Sequence, residues 1–161
     1  MEESLAIIEK NPNKWLILIL AGVTNALVVA APTMSMSVLF KEISSELKLT
    51  LVQVGLVWGL AALPGIFTGL LGGVIGDRFG PKRIILLGSI LVGLAGALRG
   101  LAGDFLTLTS SAVLVGLLTP VVIMNTIKTC GIWFPRQQLG LANGVLSMGM
   151  AMGFLIGSPG W

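Results

Sequence analysis

The sequence predicts an all-α membrane protein, a multi-span bundle of five helices. Three observations predict it. Of 161 residues, 55% are hydrophobic and only 11% are charged, with a mean hydropathy of +0.97. A soluble domain carries about 25% charged residues, because its surface must face water. Charge-free runs separate Lys14 from Lys41, Lys48 from Asp77 and Asp104 from Lys128, and one follows Arg136. Each exceeds the roughly 20 residues a helix needs to cross about 30 Å of hydrocarbon. The runs are also continuous rather than short and alternating, as a transmembrane β-barrel would require. Backbone groups in lipid have no outside partner, so such runs must be helical.

The first helix is expected at about residues 15–39. Glu2, Glu3 and Glu9 precede it, where a cleavable signal peptide would carry basic residues, so it is expected to stay as a span. Thr24 and Asn25 fall in its middle, followed by Pro32, Thr33, Ser35 and Ser37. The second helix, about 51–76, carries Gly65, Gly69 and Gly73 at a spacing that stacks residues on one face. The third, about 83–102, is interrupted by Arg99 near its end. Arg99 lies about 24 Å along the helix from Arg83, a depth that favours snorkelling to the far surface beside Asp104 over the alternative of binding an anion. The fourth, about 106–129, has a Thr119-Pro120 break and then Asn125, Thr126 and Thr129. The fifth, about 138–160, repeats the glycine ladder at Gly149, Gly153 and Gly157, with Gly140 and Gly144 below. Small faces of this kind let membrane helices approach closely. Trp15, Trp133 and Trp161 fall near span ends and read as interfacial anchors.

Lys10, Lys14, Arg78, Lys82, Arg83, Lys128 and Arg136 all fall on one side of this layout, against Lys41, Lys48 and the nearby Arg99 on the other. The positive-inside bias makes residues 1–14 a cytoplasmic N-terminus and the protein a multi-pass component of the cell membrane. The same inventory excludes several functions. There is no His, and Cys130 is the sole cysteine, which leaves no disulfide framework, CxxC metal site or His-activated nucleophile. Asp77 and Asp104 lie on opposite sides, so they do not form a catalytic carboxylate pair. The scattered basic residues give no nucleic-acid stripe. An enzyme, a metal and a cofactor are therefore not expected.

The densest charge cluster sits in the tight loop Gly72–Ile84, with Asp77, Arg78, Lys82 and Arg83 among Gly73, Gly76 and Gly80. Basic residues alone would lock topology. Asp77 needs another reason, because a carboxylate at the C-terminal end of a helix opposes the helix dipole and should have a cation or another helix N-terminus nearby. Gly73-x-x-x-Asp77-Arg78-x-Gly80-x-Lys82-Arg83 resembles the loop signature between the second and third spans of the major facilitator superfamily. Pro81 departs from it where the family usually has a basic residue. The resemblance covers the whole chain and fits its helices to the first five of the family's twelve.

The resemblance implies transport of a small molecule or ion by alternating access, two six-helix halves rocking around a midplane site. It makes Asp77 and Arg78 a latch against a helix of the other half, with Gly73 permitting close approach. It therefore places partners of Asp77 in helices of the carrier beyond Trp161. It lines the cavity mainly with the first and fourth helices, which raises Asn25, Asn125 and Thr129 as substrate candidates, and it sets the second and fifth helices at the boundary between halves. Ala112 stands where many members carry an arginine, which leaves proton coupling unsupported. The fifth helix matches an antiporter signature at Gly140, Gly149, Gly153 and Gly157 but departs at Phe154 and Ser158. The alternative is an accessory or remnant five-helix membrane protein that transports nothing alone. Cys130, near the cytoplasmic end of the fourth helix, is expected to report sidedness by its reaction with impermeant thiol reagents.

Overall fold

The computed structural model describes residues 13–158. The expected anchor Trp161, the last residues of the fifth span and most of segment 1–14 lie outside the described residues. Among the described residues five helices are long and apolar enough to cross a membrane. Among the described residues there is no strand.

Helix α1, Lys14–Val38, is interrupted by a π-helical turn over Asn25–Ala30, in which the Ala31 N–H donates to the Ala26 carbonyl five residues back. Pro32 explains the place: its ring would press on the carbonyl four residues earlier in a regular α-helix, and the wider turn relieves that contact. A short helix α2, Phe40–Glu46, lies in the connection between the first and second expected spans. It ends with Lys48 at φ 52°, while Leu49 N–H donates to the Ser44 carbonyl at 2.8 Å, the pattern of a left-handed helix stop in which glycine is usual.

Helix α3, Leu51–Phe79, opens on a reciprocal capping box between Thr50 and Gln53 and runs through Pro64. Gly80 alone, at φ 83°, joins it to α4, Pro81–Gly100. Only glycine adopts that conformation without strain, and Pro81 suits the first turn of the next helix. Asp77 and Arg78 thus belong to the last turn of α3, the C-terminal helix end at which the dipole opposes a carboxylate. Helix α5, Phe105–Trp133, is capped by Asp104 and Thr107 and carries Pro120 at its middle. The Thr107 hydroxyl and backbone N–H hold the Asp104 carboxyl below the usual carboxylate range. A single 3-10 turn, Arg136–Gln138, leads into α6, Leu139–Gly157.

Helix α5 is the centre of the bundle, packed along α3 on one side and α4 on the other, while α3 and α4 touch little. Helix α6 lies along α1. Two small cores tie these pairs together. At the Lys14 end of α1, Leu18 and Ala21 meet Cys130 of α5, Phe134 just past its end, and Ala142 and Leu146 of α6. At the other end Val57 meets Leu108 and Ala112 under α2. Elsewhere the large apolar side chains, Phe67, Leu70 and Leu106 among them, point outward. Water would not tolerate so continuous an apolar surface, whereas lipid is its natural solvent. The protein is a multi-pass helical membrane bundle.

Candidate functional site: a braced helix end and an arginine-lined cavity

The α3 end is built from glycines facing α5. A Cβ on Gly72 would stand 2.8 Å from Val121 Cα, and one on Gly76 would overlap the Asn125 carboxamide. With those side chains absent, Asn125 Nδ2 reaches across to donate to the Gly72 carbonyl at 2.9 Å and to its own Val121 carbonyl at 2.8 Å. Lys128, one turn further along α5, donates from Nζ to the Gly73 carbonyl at 2.7 Å and pairs with Asp77 Oδ1 at 2.5 Å. Lys128 is the cation that Asp77 requires against the helix dipole. The sequence reading sought partners of Asp77 in helices beyond Trp161; the structure supplies one inside this chain. Arg78 lies over the Phe79 ring, and among the described residues Arg78, Lys82 and Arg83 have no carboxylate partner.

Parts of the glycine rows pack against helices of this chain. On α6, Gly149 faces the Gly22 carbonyl so closely that a Cβ would stand 2.5 Å from it; Gly153 and Gly157 face the Ala26 and Ala31 carbonyls more closely still. Ser35 Oγ donates to the Gly157 carbonyl at 3.2 Å and fastens the same contact. On α3, Gly65 and Gly69 face Gly116 and Pro120 of α5, and the row continues through Gly72 and Gly76. Gly73, the expected third member, has open space where its Cβ would be. Gly140 and Gly144 likewise face nothing.

The polar residues expected to face substrate sit inside helix contacts. Asn25 Oδ1 accepts from Thr126 Oγ1 at 3.2 Å across α1 and α5, and both side chains are buried. Thr129 Oγ1 donates to the Asn125 carbonyl at 2.8 Å. Asn25, Asn125 and Thr129 line neither cavity described below. The Asn125 amide and the Thr129 hydroxyl donate to backbone carbonyls and Asn25 pairs with Thr126, while Asn125 Oδ1 is buried without a partner among the described residues. Cys130 is also buried, in the α1–α5–α6 core, so its thiol does not report sidedness as the sequence reading expected.

Arg99 departs furthest from expectation. It does not snorkel toward Asp104, whose carboxylate caps α5. Instead it turns inward, and Nη2 lies 3.5 Å from the Ala112 carbonyl. Its guanidinium borders a cavity of about 240 Å³ among α1, α3, α4 and α5, and a second of about 410 Å³ between α1, α2 and α4. Sequence spacing gave the depth of Arg99 but not its direction, which depends on the gap left by Gly96 and Gly100 on its own helix and Ala112 opposite.

A bundle of spanning helices with an ion pair at the join of its second and third spans defines a class, the multi-pass helical membrane proteins. The description of the Major Facilitator Superfamily matches residues 15–160, and the chain belongs to that family. It is 30% identical over 125 residues to the probable sulfoacetate transporter of Cupriavidus necator, covering 78% of this chain and 29% of that protein. It is 30% identical over 149 residues to the hexuronate transporter of Bacillus subtilis, covering 89% and 33%. It is 30% identical over 141 residues to the probable nitrate/nitrite antiporter of Thermus thermophilus, covering 88% and 31%. The chain thus spans about a third of the length of the curated relatives it matches. No solved structure matches it.

Proposed function

We propose that this chain forms the N-terminal part of an alternating-access carrier for a small anion in the cell membrane, with its N-terminus in the cytoplasm. The observation that carries the reading is the placement of charge. Among the described residues every carboxylate lies at a helix end or in a connection, at Glu42, Glu46, Asp77 and Asp104, while a guanidinium turns into the bundle. An interior without carboxylates does not attract a cation, and it suits an anion. The names of the three relatives, each a transporter of an anionic solute, support the same class. The braced α3–α5 end and the glycine contacts supply rigid bodies of the kind that rocking halves require.

The test is uptake into proteoliposomes by the full-length protein encoded by the gene that carries this sequence. Labelled sulfoacetate, glucuronate and nitrate are compared with a neutral sugar and an amine. Saturable uptake of at least one anion, competed by unlabelled anion and not by the sugar or amine, is the expected result. Uptake of the amine alone, or of nothing, sinks the reading. Sidedness has a separate measurement. Lys82 and Gly103 are exposed at opposite ends of the bundle, so Lys82→Cys and Gly103→Cys give reporters against the buried Cys130. An impermeant maleimide is expected to label Gly103→Cys in intact cells and Lys82→Cys only in inverted vesicles. The reverse pattern would place the N-terminus outside.

A further inference from the structure

We propose that Arg99 and Thr119 form an anion subsite in the cavity among α1, α3, α4 and α5, where Arg99 takes the carboxylate or sulfonate of a small organic anion. The inference rests on the anion-carrier reading and names the groups that would recognise the anion.

The cavity runs from Arg99 near the end of α4 to Gly65 and Pro120 near the middles of α3 and α5. Its wall is otherwise apolar, with Val57, Ala61, Val115 and the flat ring of Trp58. Besides the indole N–H of Trp58, three side chains bring polar atoms to it. Thr33 Oγ1 already donates to the Val29 carbonyl at 2.6 Å, so its proton is used. Thr119 makes no side-chain hydrogen bond among the described residues, so its hydroxyl is free to donate. Arg99 carries five N–H donors, of which the structure places only Nη2 on an acceptor, at the long distance of 3.5 Å. Its Nε is buried without a partner.

A half-buried guanidinium whose Nε is buried without a partner, and which has no carboxylate partner among the described residues, is costly to keep. The usual relief is a paired acid or a backbone carbonyl at short range, and the bundle supplies neither. A ligand carboxylate or sulfonate supplies what is missing, because its two or three oxygens match the planar fork of arginine. A donor set of guanidinium and hydroxyl in an apolar wall rejects a cation. The volume of 240 Å³ equals that of about eight waters, which admits an anion of the size of a sugar acid or smaller. The hydroxyl of Thr119, further along the cavity, suits a second polar group on the same molecule.

The experiment is equilibrium binding to the full-length protein in phosphatidylcholine nanodiscs. The probes are labelled glucuronate and sulfoacetate, each compared with its uncharged amide. In the wild-type protein the anion that binds is expected to be preferred over its amide. Arg99→Gln is expected to weaken anion binding by about tenfold or more and to leave amide binding unchanged, so the preference collapses. Arg99→Lys, which keeps the charge and loses the fork, is expected to retain part of the preference. Thr119→Val, which breaks no internal hydrogen bond, is expected to weaken anion binding about threefold or more. Wild-type anion binding that persists undiminished in Arg99→Gln overturns this subsite and leaves the carrier reading standing. So does an equal loss of anion and amide in Arg99→Gln and Arg99→Lys, because that marks a packing role. Competition by phosphatidylglycerol in the disc, abolished by Arg99→Gln, assigns the guanidinium to a lipid headgroup and overturns the subsite as well. Absence of binding and uptake for every anion in the wild-type protein overturns the carrier reading, and this inference with it.

Discussion

Gly116→Val is expected to prevent α3 and α5 from docking. At Gly116 a Cβ would fall on the Ala61 carbonyl oxygen, 2.7 Å from the carbonyl carbon and 3.2 Å from Ala61 Cα. All three are backbone atoms, so no side chain can turn aside; the helices must part. The contact is reciprocal, because a Cβ on Gly65 would stand 3.2 Å from the Gly116 carbonyl oxygen. That carbonyl lacks its usual intrahelical donor, since Pro120 has no N–H four residues on. Separation here also lifts Gly72 from Val121 and takes the Asn125 carboxamide away from the Gly72 carbonyl. In a membrane this packing is most of what holds two helices together, because lipid is as apolar as the side chains it replaces. The cost is expected at about 3 kcal/mol or more, the upper end for overpacking a close contact. Size-exclusion profiles and thermal melts in detergent are the measurement, with Gly131→Ala and Gly73→Ala as controls, since a Cβ at either meets nothing within 4 Å. Monodisperse Gly116→Val protein that melts with the controls would show that the two backbones do not approach as described.

The helices were legible because hydrocarbon demands long runs without charge, and that demand is written residue by residue. Contacts between helices were less so. The α3 ladder shows why. At 3.6 residues per turn a step of four rotates about 40°, so Gly73 stands about 80° away from Gly65 around the helix. Gly72 and Gly76 each stand within about 20° of it, and they form the face against α5. On α6 the strict spacing survives because its partner row on α1 is Gly22, Ala26 and Ala31, a step of four and then of five. The longer step crosses the π-helical turn that Pro32 imposes, which no periodicity of α6 could announce. Asn25 and Asn125 were singled out as the polar groups of the membrane interior, and they are that. Whether such a group faces a cavity or a backbone depends on its neighbours across the interface, and here both face backbone or Thr126. The acidic residue of the loop was legible as a charge needing a partner. The partner, far off in sequence at Lys128, was visible only as one more basic residue on the same side.

The pairing of Asp77 with Lys128 changes what the loop is expected to do. The carboxylate is 72% exposed and the ammonium 25%. An ion pair so open to solvent contributes about 0–1 kcal/mol to stability, so its loss should leave insertion and folding intact. The same energy matters more to a conformational equilibrium, where about 1 kcal/mol changes a population ratio about fivefold. Asp77 therefore serves transport only if its interactions differ between the inward- and outward-facing states. A pair that stays closed in both states braces α3 to α5 and does nothing else. A pair that opens in one state, releasing Asp77 and the uncommitted Arg78 to another helix of the carrier, is the latch that the loop signature implies. Asp77→Asn is expected to lower transport in proteoliposomes by about fivefold, with unchanged insertion and a melt within about 1 kcal/mol of wild type. Lys128→Met should lower it less, since it removes the brace and leaves the latch carboxylate in place. The double variant should be no worse than Asp77→Asn alone. Unchanged transport in Asp77→Asn reduces the pair to a brace, and leaves Arg78, Lys82 and Arg83 with topology as their role. Equal losses in the two single variants would instead make the α3–α5 contact the element that transport requires in both states.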